Sequence, residues 1–213
     1  MNVLSWNCRG VGRPRNVQFL SDVVRQEKPG VVFLCETLAK KSKMEWVQLK
    51  IGYQGMFVVD PIGRSGGLTM FWKDNDKVEV LVGGSQYPNA LIEGFNETLL
   101  DAGLTDMALV GHQFTWEKGR DTEDWMEVRL DRALTNMAWL NMFPLAKLYN
   151  LEGTPSDHSP ILLIPQIIAH GNAQYRFKFE NAWMMEPMCE FLEEGIKTLL
   201  NNTYYNFYYL LVF

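Results

Sequence analysis

The sequence predicts an α/β domain over residues 1–165, and two observations lead to this fold class. Residues 2–7 have the pattern of a short strand, and Pro14 suits the first turn of a helix that follows it. The continuous apolar run at 31–35 is typical of a strand covered on both faces. A strand, a helix and a buried strand in this order are the usual opening of an α/β domain.

The remaining elements follow from apolar periodicity and from breakers. The first helix keeps its apolar spacing until Pro29 and Gly30 end it. Strand patterns follow at 55–60, 67–72, 77–82, 113–117, 127–134, 145–150 and 160–165. Helices are predicted from Pro88 to about Gly103 and near 137–143. Residues 166–213 form a second region, with a connector, a helix at 186–200 and an uncharged aromatic tail at 201–213.

Composition excludes several classes of protein. The chain has 213 residues, of which 47% are hydrophobic, enough for a well-buried core and too many for a disordered chain. Three cysteines are too few for a disulfide scaffold, so we expect an intracellular protein without a disulfide-linked partner. No apolar run reaches the roughly 20 residues that span a bilayer, and no signal peptide begins the chain, so no membrane partner is expected. The net charge of −5 does not decide for or against nucleic-acid binding, because a metal-dependent nuclease also gathers carboxylates.

Polar side chains stand at the ends of four apolar runs, where α/β folds assemble their sites. A carboxylate in such a place needs a partner, because burying it unpaired costs several kcal/mol. We call the following five the strand-end residues: Asn7, Glu36, Asp131, Asp157 and His158.

Each strand-end residue also has a purely structural explanation. Asn7 could bond to a turn, and the Asp157–His158 pair could be a cap or turn sequence. Glu36 could form an ion pair with a nearby basic side chain, and so could Asp131. The candidate partners are Lys40, Lys41 or Arg15 for Glu36, and Arg129 or Arg132 for Asp131.

Taken together, the strand-end residues indicate metal-assisted phosphodiester hydrolysis. Oxygen donors from Asn7, Glu36 and Asp157 suit Mg²⁺ or Mn²⁺ better than zinc. A histidine beside a carboxylate can stabilise or protonate phosphate oxygens, and Asp131 is a candidate to orient His158. A Ser-His-Asp site using a neighbouring serine is disfavoured, because no serine lies in a Gly-x-Ser-x-Gly elbow.

Six short motifs in order resemble those of the endonuclease/exonuclease/phosphatase superfamily. They also resemble, more narrowly, the N-terminal endonuclease domain of plant LINE-type (non-LTR) retrotransposon polyproteins. Each motif is weak alone, and their order over residues 1–165 carries the resemblance. The motifs are Ser5-Trp6-Asn7-Cys8-Arg9-Gly10, Cys35-Glu36-Thr37, Ser65-Gly66-Gly67-Leu68, Phe114-Thr115-Trp116, Arg129-Leu130-Asp131-Arg132 and Ser156-Asp157-His158-Ser159-Pro160.

The resemblance implies a four-layered α/β sandwich, with two packed β-sheets flanked by helices, and Mg²⁺-dependent nicking of DNA in the nucleus. It implies metal contacts for Asn7, Glu36 and Asp157. It also implies that Asp131 orients His158, which contacts the scissile phosphate. For contact with DNA we expect an aromatic side chain to stack on a base and arginines to reach phosphates. The candidates are Trp116, Arg9 and Arg129.

One departure from the family pattern bears on activity. Family members have a strand that ends in Gly-Asp-Phe-Asn, whose aspartate is the best candidate to activate water. That strand should lie between residues 82 and 88, where this sequence has only residues 83–87. We therefore expect an internal deletion, an incomplete sandwich and impaired activity. Glu93-Gly94-Phe95-Asn96 is no substitute, because Phe95 belongs to the apolar stripe of the helix after Pro88. The alternatives are an active phosphatase of the same superfamily and a non-catalytic nucleic-acid-binding remnant.

Overall fold

The computed structural model describes residues 1–63, 65–73, 78–81, 103–166, 177–180 and 210–212. In the short ranges 78–81, 177–180 and 210–212 only the backbone is described. Within these ranges no helix has the length and apolar character needed to cross a membrane.

A seven-stranded mixed sheet forms the centre of the fold. Its strands in spatial order are β3 (Gly55–Val59), β4 (Leu68–Trp72), β2 (Val31–Cys35), β1 (Val3–Asn7), β12 (Ile161–Ile164), β11 (Lys147–Asn150) and β7 (Leu109–Val110). β1 and β2 are parallel neighbours, and β12 is antiparallel to β1 on its other side. The end of β1 therefore lies beside the end of β2 and the start of β12.

Two helices cover one face of this sheet. They are α1 (Pro14–Glu27) and α2 (Lys41–Ile51). Pro14 opens α1 as predicted, and Leu20 of α1 packs with Leu4 and Leu34 of the sheet in one buried cluster. That cluster removes a large apolar area from water, which is the main favourable term in folding.

The opposite face of the sheet packs against a second sheet and a short helix. The second sheet has the order β14 (Leu210–Val212), β10 (Ala133–Asn136) and β6 (Leu104–Asp106). α3 (Met137–Met142) follows β10 directly, and the side chain of Asn136 accepts a hydrogen bond from the Trp139 amide at its start. Ala133 and Trp139 pack in one core with Phe33 and Ile161 of the central sheet.

Two strand pairs complete the described elements. β8 (Trp116–Lys118) is antiparallel to β9 (Met126–Val128), and β5 (Val78–Leu81) is parallel to β13 (Phe177–Glu180). β13 and β14 belong to the predicted region 166–213, and both pair with strands of the predicted domain 1–165. That division of the chain stays a prediction.

The structure confirms the predicted α/β class, with a large sheet flanked by helices and packed on a second sheet. The helix predicted from Pro88, the interval 83–87 and the helix at 186–200 lie outside the described residues. Helix α2 was not predicted, because its buried Met44 and Val47 alternate with the exposed Trp46 and Leu49 and no clean apolar stripe marks it.

The single strand predicted at 127–134 is wrong. The chain instead forms β9 and β10 with a break at 129–132. In the break, the amides of Leu130 and Asp131 donate to the hydroxyl of Thr115, 3.1 Å and 2.8 Å away, instead of to a neighbouring strand. This break carries one of the strand-end residues.

Candidate active site

The parallel pairing of β1 and β2 places two strand-end residues side by side. Asn7 is the last residue of β1 and is in register with Cys35, which ends β2 immediately before Glu36. The Nδ2 atom of Asn7 donates a hydrogen bond to Oε1 of Glu36 at 3.1 Å. Asn7 therefore bonds to Glu36 across the strand ends, and none of the basic residues proposed as structural partners takes that carboxylate oxygen.

The backbone at Glu36 is held in an uncommon conformation. Its φ is 49°, in the left-handed region that non-glycine residues seldom adopt. The Glu36 carbonyl accepts from the Gly10 amide at 2.8 Å, and the next amide, of Thr37, donates to the Gly67 carbonyl at 3.0 Å. Such strain persists only where the surroundings determine it, and it is concentrated at functional sites.

Gly67 makes this loop possible. Its φ is +85°, and a Cβ atom there would lie 2.5 Å from Oγ1 of Thr37 and 3.3 Å from the amide nitrogen of Leu38. A side chain at this position would push the chain away immediately after Glu36. The Ser65-Gly66-Gly67-Leu68 motif thus acts through close backbone approach.

The Asp157–His158 segment is fastened to the end of β1. The indole Nε1 of Trp6 donates to the His158 carbonyl at 3.1 Å, and the Ser156 hydroxyl donates to the Asn7 carbonyl at 2.9 Å. Ser156 thus has a structural partner, which fits the sequence argument against a serine nucleophile. These two bonds explain how residues far apart in the sequence meet Asn7.

His158 and Asp131 form a buried pair. Nδ1 of His158 lies 2.9 Å from Oδ2 of Asp131, and the two residues are only 8% and 6% exposed. Asp131 is therefore not paired with Arg129 or Arg132, which both contact Asp106. An ionised carboxylate only accepts hydrogen bonds, so Nδ1 donates and Nε2 is the ring nitrogen that remains to contact a substrate.

Trp116 lies at the site beside Asp157. Its indole Nε1 donates to Oδ2 of Asp157 at 2.9 Å, and the side chain is half-buried. The backbones are also joined, because the Glu117 amide donates to the Asp157 carbonyl at 3.0 Å. Trp116 therefore lies beside one of the strand-end carboxylates, while its contact with DNA stays a prediction.

Arg9 also lies at the site, but its partners are carboxylates. Its Nε is 3.4 Å from Oε2 of Glu36, and its NH1 group pairs with Oδ2 of Asp157. The guanidinium therefore connects two strand-end residues that do not contact each other directly. Its side chain is 53% exposed.

Arg129, the other arginine expected to contact DNA, pairs with groups of the protein, and its contact with DNA stays a prediction. Its NH2 group donates to Oδ1 of Asp106 at 2.9 Å and to the carbonyl of Met107. The side chain is 21% exposed and the partner carboxylate 22%, so this ion pair is largely sheltered from solvent. The guanidinium thus supports the chain at the end of β6.

Two thiols lie behind the site and are not nucleophiles. Burial raises the pKa of Cys8 to about 12, and it also raises the pKa of Cys35, with Asp131 adding to the effect. Both thiols are therefore protonated at neutral pH.

The donor set fits a hard divalent ion. Carboxylate oxygens of Glu36 and Asp157 and the amide oxygen of Asn7 are hard ligands, and Mg²⁺ commonly takes only one or two carboxylates while keeping several waters. Among the described residues, no three His, Cys, Asp or Glu side chains are grouped closely enough to form a metal cage by themselves. The residues fit a partly hydrated Mg²⁺ or Mn²⁺ and not a fully protein-ligated ion such as structural zinc.

Two residues that hold the candidate catalytic pair in place were not predicted to have a role. Trp6 and Thr115 belong to the Ser-Trp-Asn and Phe-Thr-Trp motifs, where neither was given a role. Their side chains nevertheless hold His158 and Asp131 in place. The available signal was a side chain with a hydrogen-bonding atom inside a predicted strand, because such an atom must find a partner when it is buried.

Solved structures resemble this fold over most of its length. The Neisseria 3′ phosphatase NExo bound to a product DNA hairpin has 15% identity and a TM-score of 0.54, with 78% of this chain and 99% of that chain covered. The 3′-5′ exonuclease NExo from Neisseria meningitidis has 15% identity and a TM-score of 0.52, with 77% and 99% covered. An AP endonuclease from Archaeoglobus fulgidus has 11% identity and a TM-score of 0.49, with 78% and 100% covered.

These neighbours are enzymes of the endonuclease/exonuclease/phosphatase superfamily. This chain has a mixed α/β fold similar to that of the two NExo structures. At these identities the similarity establishes the architecture and leaves the activity to be argued from the site. No protein-family model matches the sequence, and no curated protein matches it.

Proposed function

We propose that this chain is a divalent-metal-dependent phosphodiester hydrolase that nicks DNA. The observation that carries the proposal is the buried pair of His158 and Asp131 set beside the carboxylates of Glu36 and Asp157. A fixed histidine next to an oxygen-donor set is what hydrolysis of a phosphodiester requires, since charge on the phosphate must be stabilised.

Each strand-end residue then has a role. Asp131 holds the His158 ring so that Nε2 can donate a proton or a hydrogen bond to a phosphate oxygen. Asn7 orients Glu36 through its 3.1 Å hydrogen bond. Glu36 and Asp157, with the amide oxygen of Asn7, would hold Mg²⁺ or Mn²⁺. The bound ion would neutralise charge that develops on the phosphate.

DNA is the proposed substrate. The NExo structure with TM-score 0.54 is described as bound to a product DNA hairpin. Trp116 is a half-buried aromatic beside Asp157 and would offer a base a stacking surface next to the proposed metal ligands.

We further propose a retroelement origin, a nuclear location and reduced activity. The support is the order of the six motifs, the narrower likeness to plant LINE-type endonuclease domains, and the absence of Gly-Asp-Phe-Asn from the sequence. A positioned general base typically contributes about 10²- to 10⁴-fold, so its loss would slow cleavage without removing metal or phosphate binding.

Removal of a terminal phosphate from DNA is a second candidate activity. It is favoured by the description of NExo as a 3′ phosphatase. The same residues would serve, because a phosphomonoester needs the same charge stabilisation. A non-catalytic DNA-binding remnant is the third possibility and would leave both substrates unchanged.

The test compares two histidine variants on two substrates. Purified wild type, His158→Ala and His112→Ala are incubated in Mg²⁺ with supercoiled plasmid and with a 3′-phosphorylated oligonucleotide. His112 is the matched control, because its Nε2 lies 2.7 Å from Oε1 of Glu127 in an exposed pair that includes none of the strand-end residues. We expect slow plasmid nicking by wild type and His112→Ala, and none by His158→Ala. Phosphate release without nicking would favour the second candidate, and no reaction on either substrate would favour the third.

A further inference from the structure

Arg9 provides the positive charge that the carboxylates of the site share. Its Nε lies 3.4 Å from Oε2 of Glu36, while its NH1 group pairs with Oδ2 of Asp157. One guanidinium thus faces the two carboxylates to which the proposed function assigns the metal. Its positive charge neutralises the same carboxylates that a bound divalent ion would neutralise.

The backbone at Arg9 is fixed, and its side chain is not. The residue on either side is bonded to the β2 end, with the Cys8 amide 3.1 Å from the Cys35 carbonyl and the Gly10 amide 2.8 Å from the Glu36 carbonyl. The Arg9 side chain is 53% exposed and, among the residues that the structure describes, is held by its ion pairs with Glu36 and Asp157. It can leave the carboxylates by side-chain rotation, with no change in the loop.

The two carboxylates do not depend on Arg9 for their orientation. Glu36 is also bonded to Nδ2 of Asn7 at 3.1 Å, and Asp157 to the indole of Trp116 at 2.9 Å. Removal of the guanidinium would therefore leave two oriented carboxylates without their counter-charge. Two like charges so arranged attract a cation more strongly.

We propose that Arg9 is an internal competitor of the divalent metal ion for Glu36 and Asp157. The inference rests on the proposed function, because it takes the metal ligands from it. Metal binding releases the guanidinium from the carboxylates at the open side of the site. A guanidinium there can bind a phosphate in two-point geometry, so Arg9 exchanges a carboxylate partner for a substrate phosphate.

Mn²⁺ binding to the whole chain, measured by electron paramagnetic resonance of the free ion, tests this inference without any catalytic readout. We expect Arg9→Gln to bind Mn²⁺ about 3- to 10-fold more tightly than wild type, in keeping with the loss of two partly exposed ion pairs. Arg9→Lys, which keeps the charge but not the fork, should lie between them. Arg25→Gln is the matched control, because it removes an arginine paired with Asp22 on α1 and should leave the affinity unchanged.

Glu36→Gln locates the binding and should abolish it. Unchanged or weaker Mn²⁺ binding by Arg9→Gln would overturn the inference, since a merely structural arginine would organise the ligands. A wild type that binds Mn²⁺ through Glu36 but cleaves no DNA would refute the proposed function and leave the inference standing. If wild type nicks DNA while Arg9→Gln gains no affinity for Mn²⁺, the proposed function stands and the inference about Arg9 is overturned. If neither protein binds Mn²⁺, the proposed function and the inference are both overturned.

Discussion

Nδ1 of His158 lies 2.9 Å from Oδ2 of Asp131, although the two residues are 27 positions apart in the sequence. Asp131 is fixed from behind by the hydroxyl of Thr115, and the backbone of His158 by the indole of Trp6. Each member of the pair is therefore held by a residue outside the strand-end set. These bonds restrict the orientation of the imidazole, which is a requirement for proton transfer at a set atom.

Asp131→Asn should reduce DNA cleavage by about 10²-fold or more, because a neutral amide no longer stabilises the imidazolium form of His158 from which Nε2 donates to the phosphate. The variant keeps the shape of the side chain, so DNA affinity should change little. Single-turnover cleavage and a DNA-binding titration on the same preparations separate the two effects. Cleavage at the wild-type rate would mean that Asp131 has only a packing role.

Gly67→Ala should destabilise the fold more than Gly66→Ala. Both residues have positive φ, at +85° and +76°, so both variants incur the same kind of backbone strain. Only at Gly67 would the new Cβ meet other atoms, at 2.5 Å from Oγ1 of Thr37. We expect a difference of about 1–3 kcal/mol in the free energy of unfolding, which is typical of overpacking. If urea denaturation shows equal losses of unfolding free energy in the two variants, the loop after Glu36 accommodates the added methyl group without further destabilisation.

Trp116→Ala should weaken binding of single-stranded DNA, and Trp116→Phe should not. Base stacking on an aromatic contributes about 1–3 kcal/mol per base, which the phenylalanine ring retains. Trp116→Phe should instead slow cleavage, because it removes the hydrogen bond to Asp157. Trp46→Ala, at a 47% exposed tryptophan on α2, is the control. Wild-type DNA affinity in Trp116→Ala would remove Trp116 from the DNA interface.

Arg129→Gln should lower the free energy of unfolding by about 1–3 kcal/mol, because it removes charge-assisted hydrogen bonds to Asp106 and Met107. DNA affinity should stay within about twofold of wild type, because the guanidinium is paired with Asp106. The salt dependence of binding should also stay the same, since it decreases only when a phosphate contact is lost. Denaturation and DNA titrations at two salt concentrations check both. A normal stability with weakened, less salt-dependent binding would restore Arg129 to the DNA interface.

Stability should fall at alkaline pH in part because of Cys8. Burial raises its pKa to about 12, whereas a thiol in the unfolded chain ionises near about pH 8.5. The folded state therefore keeps a proton that the unfolded state loses. The resulting contribution is complete below about pH 8.5 and declines as pH rises towards 12.

Urea denaturation at pH 7.5 and 9.5 measures this effect. Cys35 and Tyr53 also have pKa values raised by burial, so the comparison is between wild type and Cys8→Ala. The loss of stability between the two pH values should be smaller in Cys8→Ala by about 1 kcal/mol. Equal losses would mean that the folded state does not protect this thiol.

Local patterns were sufficient to predict the opening of the fold and the position of the strand-end residues. Helix α1 has a breaker at each end and an apolar stripe, and the run at 31–35 is unbroken, so neighbouring residues alone identify them. The meeting of Asn7 with Glu36 then follows from two adjacent parallel strands. The motif order supplied the expectation that Asp131 would approach His158.

Partners of long, charged side chains could not be predicted in this way. Arg9 pairs with Asp157 across 148 positions, and Arg129 with Asp106 across 23, and nothing near either arginine identifies its partner. A guanidinium on a flexible side chain can reach several carboxylates, and only tertiary packing selects one. The break at 129–132 was missed for the same reason, because its amides bond to Thr115 from another segment.

The single-turnover rate of DNA cleavage in Mg²⁺, compared between wild type and Glu36→Gln, tests whether these carboxylates hold a metal ion that is needed for cleavage. The substitution keeps the size of the side chain and its bond to Asn7 while removing the charge on which metal binding depends. We predict slow, EDTA-sensitive cleavage by wild type and a rate at least about 10²-fold lower for Glu36→Gln. Equal rates in the two proteins, or no Mg²⁺-dependent cleavage by wild type, would contradict this prediction.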